Sequence, residues 1–484
     1  MPTRFRLQSV AAVLAASISL ATAAHAADSQ VFFAKPYLQL GNHPKAAAKE
    51  TEEIVWLSTA KKQWAVDVKE HDSKDWAQCK SDIKHHPLKD ANVADLEIFS
   101  CELTGLTPGK QFDYRVRADK ENVFSATATA RKTADQPIKI AIFGDCGAGT
   151  KAQLKIAYQS YKYDPDMLII PGDIIYNLGL FSEYAKRMFP VYNADVADEK
   201  TGVPLMRSRL TVPVLGNHDI ACNLKKLGTN LDTYPDALAY FTVWSQPHNG
   251  PDTKYGGNNT PGIIGTEAHK DNFLKSAGDN YPNMANYSFD YGNTHWTVLD
   301  GNFYMDWTNP KLREWVKSDL ANAKNATWKF VTFHQPGFSE DIEHNLEQRM
   351  RLLCDIFQEE GVDVVWAGHV HNYQRSFPLK FQVETKDGKP VVQPSGAVPG
   401  TFKFDKEYDG KTKTKPNGIL YIVTGAGGQE LYAERAVPKE GDFMCKFNGS
   451  VHSFTRCDIN GGVMNVEQLD ENGKIIDAFK VTKK

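Results

Sequence analysis

Six side chains of metal-binding type stand at the ends of short apolar runs: Asp145, Asp173, Asn217, His334, His369 and His371. Tyr176 follows Asp173 by three residues, in the stretch LIIPGDIIYNLG. Carboxylates, an amide oxygen and imidazoles are donors that hold a divalent or trivalent ion. Seven mixed N and O donors exceed what one ion takes from a protein. Two ions sharing one carboxylate take roughly four each, with ~3.5–4 Å between them. Such a pair holds a phosphoryl oxygen and a nucleophile side by side for in-line attack.

Strands must position these groups. The runs IKIAIF (138–143), MLII (167–170), VPVL (212–215), KFVTF (329–333) and VDVVWAG (362–368) alternate with helical stretches. That alternation predicts an α/β layer with a buried sheet. Each run gives way to a polar cluster: Gly144-Asp145, Gly172-Asp173, Gly216-Asn217-His218-Asp219, His334, and Gly368-His369-Val370-His371. In such sheets ligands sit at the carboxyl ends of strands, so five strand ends are expected to converge on one point. The segment 418–428 predicts a returning strand and a tight turn. Two excursions, 222–285 (rich in Asn, Gly, Pro and Asp) and 377–417 (polar, with many Lys), read as loops, the first lying over the site.

Upstream, residues 30–133 read as β. IVWLS (54–58) has strand length, and Phe112, Tyr114 and Val116 alternate with polar residues as in a half-buried strand. LTGLTPGKQFDYRVRA resembles a corner of fibronectin type III-like domains, with Phe112 where tyrosine is usual. This predicts a small β-sandwich over 30–133 acting as a spacer or lid, a linker at 132–137, and a second domain over 138–484.

GDCGAG, GDIIY, GNHD, VTFH and GHVH occur in the order and spacing of the metallophosphoesterases, and the chain resembles that superfamily over 144–371. In most metallophosphoesterases the residue three after the bridging aspartate is another aspartate or a different polar group. A tyrosine there marks the purple acid phosphatases, and GHVHNYQRS is similar to their last motif. The resemblance implies an N-terminal all-β sandwich followed by an α/β, calcineurin-like metallophosphoesterase domain of layered sheets flanked by helices. It implies Fe(III) on Asp145, Tyr176 and His371, a divalent ion (Zn, Fe or Mn) on Asn217, His334 and His369, and Asp173 between them. A phenol of pKa ~10 binds as tyrosinate in acid only to a strongly polarising ion, and Fe(III) fits. His218 would face the phosphate, and His344 would be the general acid, ahead of an amphipathic helix carrying Ile342, Leu346, Met350, Leu353 and Phe357. The implied activity is phosphomonoester hydrolysis at acidic pH on small-molecule phosphate esters. Cys146 and Gln374 depart from the family pattern, and neither is a ligand.

Two other functions use the same residues. A phosphodiesterase or nucleotidase of the superfamily would carry two divalent ions. A secreted binding protein would keep a vestigial site, although every proposed ligand is present. GDCGAGTK (144–151) nearly imitates a P-loop, but its lysine is one place off. Of the 14 histidines, His43, His71, His85, His86 and His452 read as surface, His248 and His269 as loop, and His295 as core.

Composition bounds the rest. The chain has 484 residues and a formal net charge of −3, with no basic excess to mark a nucleic-acid surface. No apolar run beyond the N-terminus reaches membrane-spanning length. Residues 1–26 carry Arg4 and Arg6, a short Ala-rich apolar stretch and Ala24-His25-Ala26, the pattern of a signal peptide. Export, periplasmic or extracellular, would permit disulfides. Seven cysteines leave one over. Cys79 with Cys101 and Cys445 with Cys457 could each staple a hairpin, Cys146 and Cys222 could join two loops, and Cys354 reads as a buried thiol.

Overall fold

The computed structural model describes residues 31–89, 96–221, 228–436 and 442–483. The signal-peptide segment and Cys222 lie outside the described residues.

The N-terminal region is two four-stranded antiparallel sheets. One orders Ala34–Gln39, Glu50–Ser58, Glu97–Leu106 and Lys84–Pro87; the other orders Ala77–Gln78, Trp64–Glu70, Gln111–Ala118 and Glu121–Thr129. Along Gln111–Ala118, Phe112, Tyr114, Val116 and Ala118 are buried and their neighbours are not. Phe112, Tyr114 and Val116 meet Leu38, Ile54, Trp56 and Leu103 of the facing sheet in one core.

Buried polar contacts fasten the sandwich to the region C-terminal to it. Arg131, 1% exposed, donates through Nε and Nη2 to Glu50 Oε2 (2.8 and 2.6 Å), and through Nη1 to the carbonyls of His43 and Asp290 (2.9 and 3.2 Å). Removing one partner of such a pair strands a buried charge, a loss of ~3–5 kcal/mol. Tyr114 Oη donates to the Arg207 carbonyl (2.8 Å), and Leu38 N donates to that of Met206 (2.8 Å).

Two sheets form the second region. The first orders Leu210–Pro213, Met167–Ile170, Ile138–Ile142, Ser453–Asn460, Val463–Asp470 and Ile475–Thr482. Its first three strands are parallel. The second orders Tyr287–Tyr291, Thr294–Val298, Trp328–Phe333, Val364–Ala367, Leu420–Thr424, Tyr373–Ser376 and Met444–Asn448, with four parallel strands from Thr294–Val298 to Leu420–Thr424. Period-two alternation splits each strand between two cores. Ile140, Ile142 and Ile169 meet Trp296, Phe330, Val364 and Trp366 between the sheets. Ala141, Leu168 and Ile170 face Ile156 and Ala157 of the helix Lys151–Tyr163. Val331, Phe333 and Val365 face Leu312, Val316 and Leu320 of the helix Pro310–Asn322. The layers are helix, sheet, sheet, helix.

Several sequence expectations need correction. The excursion 377–417 is not all loop, since Leu379–Val383 pairs antiparallel with Gly400–Phe404. The strand expected at 212–215 spans Leu210–Pro213. The excursion 222–285 is partly helical in its described residues, with Tyr240–Val243, Glu267–Ala277 and Asn280–Asn283, because Phe241, Phe273 and Tyr281 pack edge-to-face into the core. The amphipathic helix after His344 begins late. Ile342 and Leu346 are exposed in turns, and only Met350, Leu353 and Phe357 are buried, on a 3-10 helix Arg349–Leu353 and a helix Cys354–Glu359.

The cysteines divide. Cys79 and Cys101 are free thiols close enough to act on each other electrostatically, and Cys101 Sγ lies 3.9 Å from the Ser81 carbonyl. Cys445 and Cys457 do not staple a hairpin, because their strands belong to different sheets. Cys354 is a buried thiol 3.4 Å from Tyr421 Oη.

Candidate metal centre

The proposed donors stand just past strand ends of both sheets. Asp145, Asp173 and Asn217 come from the first, and His334, His369 and His371 from the second. The loops pack tightly against one another's backbone and side chains, which explains their glycines. A Cβ on Gly172 would sit 2.3 Å from His334 Nδ1, and one on Gly216 would sit 2.2 Å from Asp173 N. Asp145, Asp173 and His369 hold left-handed backbone (φ 57°, 48° and 68°). Each such residue costs about 1–3 kcal/mol, a strain that gathers at functional sites.

The donor atoms form two triangles. In one, Tyr176 Oη lies 3.0 Å from Asp145 Oδ1 and 3.1 Å from His371 Nε2, and that nitrogen is 3.5 Å from Asp145 Oδ1. In the other, Asn217 Oδ1 lies 3.1 Å from His334 Nε2 and 3.0 Å from His369 Nδ1, with the two nitrogens 3.3 Å apart. Asp173 Oδ1 is 3.1 Å from His334 Nε2, and the Asp173 carboxylate also acts on the Tyr176 phenol. The triangles are close, with His334 Nε2 4.0 Å from Asp145 Oδ1.

The outer hydrogen bonds settle what these atoms offer. His334 Nδ1 donates to the Pro171 carbonyl (2.8 Å) and His371 Nδ1 to that of Glu430 (2.7 Å). His369 Nε2 donates to Glu347 Oε2 (2.9 Å). With the remote N–H spent, each neutral imidazole presents a lone pair to the site. Three lone pairs within 3.3 Å of one another, on Asn217, His334 and His369, repel unless a cation lies among them. The residues present fit a two-ion centre.

Electrostatics agree. Burial first, then Asp145 and Asp173, raise the Tyr176 phenol well above its ordinary value, so a phenolate forms only if a cation displaces the proton. Burial opposes charge on His334, but the Asp173 and Asp145 carboxylates outweigh it and push the imidazole up to about 10. That proton stands where a cation would. Burial pushes His371 down to about 3.

His218 and His344 flank the donors. His218 Nδ1 donates to the Asn177 carbonyl (2.7 Å), its Nε2 is 3.8 Å from Asp173 Oδ2, and its ring lies 4.4 Å from that of Tyr176. His344 packs on His369, with ring centroids 4.5 Å apart. Sequence reasoning missed Glu347. Its Oε1 accepts from His344 Nδ1 (3.0 Å) while Oε2 holds His369. The only local signal was its place three residues after His344. Gln374 touches no proposed ligand. It accepts from Glu340 N and donates to Ser339 and Asn372. Cys146 is buried, its thiol against the Ile174 carbonyl.

Residues 138–373 match the calcineurin-like phosphoesterase family. The match covers just under half of the chain and makes that segment a calcineurin-like phosphoesterase domain. Members of the purple acid phosphatase branch are among its relatives. Purple acid phosphatase 23 of Arabidopsis thaliana is 24% identical over 297 residues, 56% of each chain. Purple acid phosphatase 21 of the same plant is 25% identical over 336 residues, 69% of this chain and 58% of that one. The chain thus spans under three fifths of the length of the curated relatives it matches. Purple acid phosphatase PPD1 from yellow lupin seeds shares the fold, with a TM-score of 0.61 at 16% identity, covering 92% of this chain and 74% of that one. So does PhoD, with a TM-score of 0.53 at 14% identity, covering 94% and 93%. The family match ends at residue 373, just beyond the last proposed ligand, His371. No helix among the described residues is long and apolar enough to cross a membrane.

Proposed function

We propose that this protein is an exported acid phosphatase, hydrolysing small-molecule phosphate monoesters with one Fe(III) and one divalent ion. Asp145, Tyr176 and His371 hold the iron, Asn217, His334 and His369 hold the divalent ion, and Asp173 is shared. The observation that carries this reading is the pair of donor triangles meeting at Asp173, one of them containing a buried tyrosine. The residues 1–26 support export, and the boundaries 30–133 and 138–484 divide a fibronectin type III-like sandwich from the catalytic domain. When bound, the ions supply Lewis acidity to the phosphoryl oxygens and a more acidic water.

The chain's own residues do the rest. His218, on the Asp173 side, hydrogen-bonds a phosphoryl oxygen. His344 is the general acid. Its Nδ1–H is committed to Glu347, and its Nε2 has no partner among the described residues. Burial works against charge on His344, and Glu347 more than offsets it, so the imidazole titrates above its ordinary value. The imidazolium then aims one proton, on Nε2, at the leaving oxygen.

The test is metal analysis of protein purified without added metal, with phosphate release from a monoester and a diester followed across pH. Two metals per chain including iron, and faster monoester turnover below neutrality, are expected. Faster diester turnover favours the phosphodiesterase reading. No turnover with iron and zinc supplied leaves only a binding protein.

A further inference from the structure

A cavity of about 400 Å³ opens beside the donor triangles, with Asn217 and His369 among its lining residues. That volume is in the range of small-molecule sites (~300–1,000 Å³) and exceeds what one phosphate group fills. Arg349, Ser395 and Gly396 also line the cavity.

Apart from histidine, two ionisable side chains line the cavity, Glu347 and Arg349. Both Glu347 oxygens are engaged by imidazoles, Oε1 by His344 and Oε2 by His369. No carboxylate among the described residues pairs with Arg349. Its neighbour Arg351 does the opposite job. Two residues apart on a 3-10 helix, side chains point well away from each other. Arg351 is buried over the Phe338 ring, 4.7 Å from its centroid, and donates to the Gly337 and Val398 carbonyls. Arg349 is half-buried and lines the cavity.

The segment carrying Ser395 and Gly396 is held beside Arg349. Gln348 N donates to the Gly396 carbonyl (3.3 Å), and Gln348 Oε1 accepts from Val398 N (3.0 Å). The excursion 377–417 is thus tied to the residue preceding Arg349, and Arg349 lines a bounded space. A guanidinium matches a carboxylate or phosphate in planar, two-pronged fashion.

We infer that Arg349 selects phosphomonoesters whose leaving group carries a second anion, a carboxylate or another phosphate. This rests on the proposed phosphatase function. The scissile phosphate lies at the donor triangles, and the second anion reaches along the cavity to Arg349.

The test compares two substrate pairs on metal-loaded enzyme: glycerol 3-phosphate with 3-phosphoglycerate, and fructose 6-phosphate with fructose 1,6-bisphosphate. One charge-assisted contact gives a preference of about tenfold or more in kcat/KM for the anionic member of at least one pair. The pair that shows it tells carboxylate from phosphate. Arg349→Gln should abolish the preference, and Arg349→Lys, which keeps the charge but loses the fork, should retain only part of it. No preference in the wild-type enzyme, or one that survives Arg349→Gln, overturns the inference. If no ester is turned over, the phosphatase reading fails separately. Calorimetric titration with the same esters then decides the role of Arg349: tighter binding of the anionic member, lost in Arg349→Gln, supports it, and equal binding refutes it.

Discussion

Replacing Glu347 by glutamine tests the logic of the centre at a residue outside the donor set. The carboxylate accepts one N–H from His369 and one from His344, at 2.9 and 3.0 Å. Glutamine offers one carbonyl oxygen and an NH₂ donor. Only one imidazole can then keep its bond. If His369 loses, its proton is free to move to Nδ1, the atom 3.0 Å from Asn217 Oδ1, and the lone pair is gone. Loss of such an outer partner costs ~10–100-fold in metal affinity. The Glu347 side chain keeps 46% exposure, so water can replace part of the contact. The lower end applies, about tenfold or ~1.4 kcal/mol. If His344 loses instead, its ring is freed, and turnover of esters with poor leaving groups falls while metal affinity holds. Chelator competition for the divalent ion, with leaving-group dependence alongside, separates the two. A variant unchanged in both measurements refutes the reasoning.

Three further outcomes are expected. His344→Ala should slow esters with poor leaving groups by ~10²–10⁴ and those with good ones far less; equal slowing would show that His344 donates no proton to the leaving group. Tyr176→Phe should weaken iron binding and remove a visible absorption band from oxidised, iron-loaded protein; a band that persists, or is missing from the wild type, removes iron–tyrosinate from the account. Glu52 is fully buried, and burial, with Glu50 adding to it, pushes its carboxyl up to about 8 against the opposing pull of Arg131. The folded state therefore binds this proton more tightly than the unfolded one, so the contribution is full below about 4.5 and is lost as pH rises through about 8. Glu52→Gln should flatten that decline by a few kcal/mol at most, read as unfolding midpoints between pH 5 and 8, and an unchanged pH slope counts against it.

The convergence of the candidate donors was legible because its signals are local. A short apolar run, a glycine and a polar ligand are contiguous, and Ile138–Ile142 with Asp145 or Met167–Ile170 with Asp173 can be read without the rest of the chain. The β-sandwich was legible for the same reason, since alternation along Gln111–Ala118 is a property of eight consecutive residues. Strand order was not legible, because pairing Ser453–Asn460 against Ile138–Ile142 joins segments more than three hundred residues apart.

The tertiary structure decided what the second tier of side chains does. In sequence, Glu347 and Arg349 resemble the polar face of a solvated helix. Folding instead starts that helix late, leaves Ile342 and Leu346 in water, and turns Glu347 onto two imidazoles. Arg131 and Glu50, ordinary surface charges by composition, become the buried link between sandwich and sheets. A donor's type and its place after a strand follow from local chemistry. A supporting charge acquires its role from the groups that burial brings to it, and those come from distant segments.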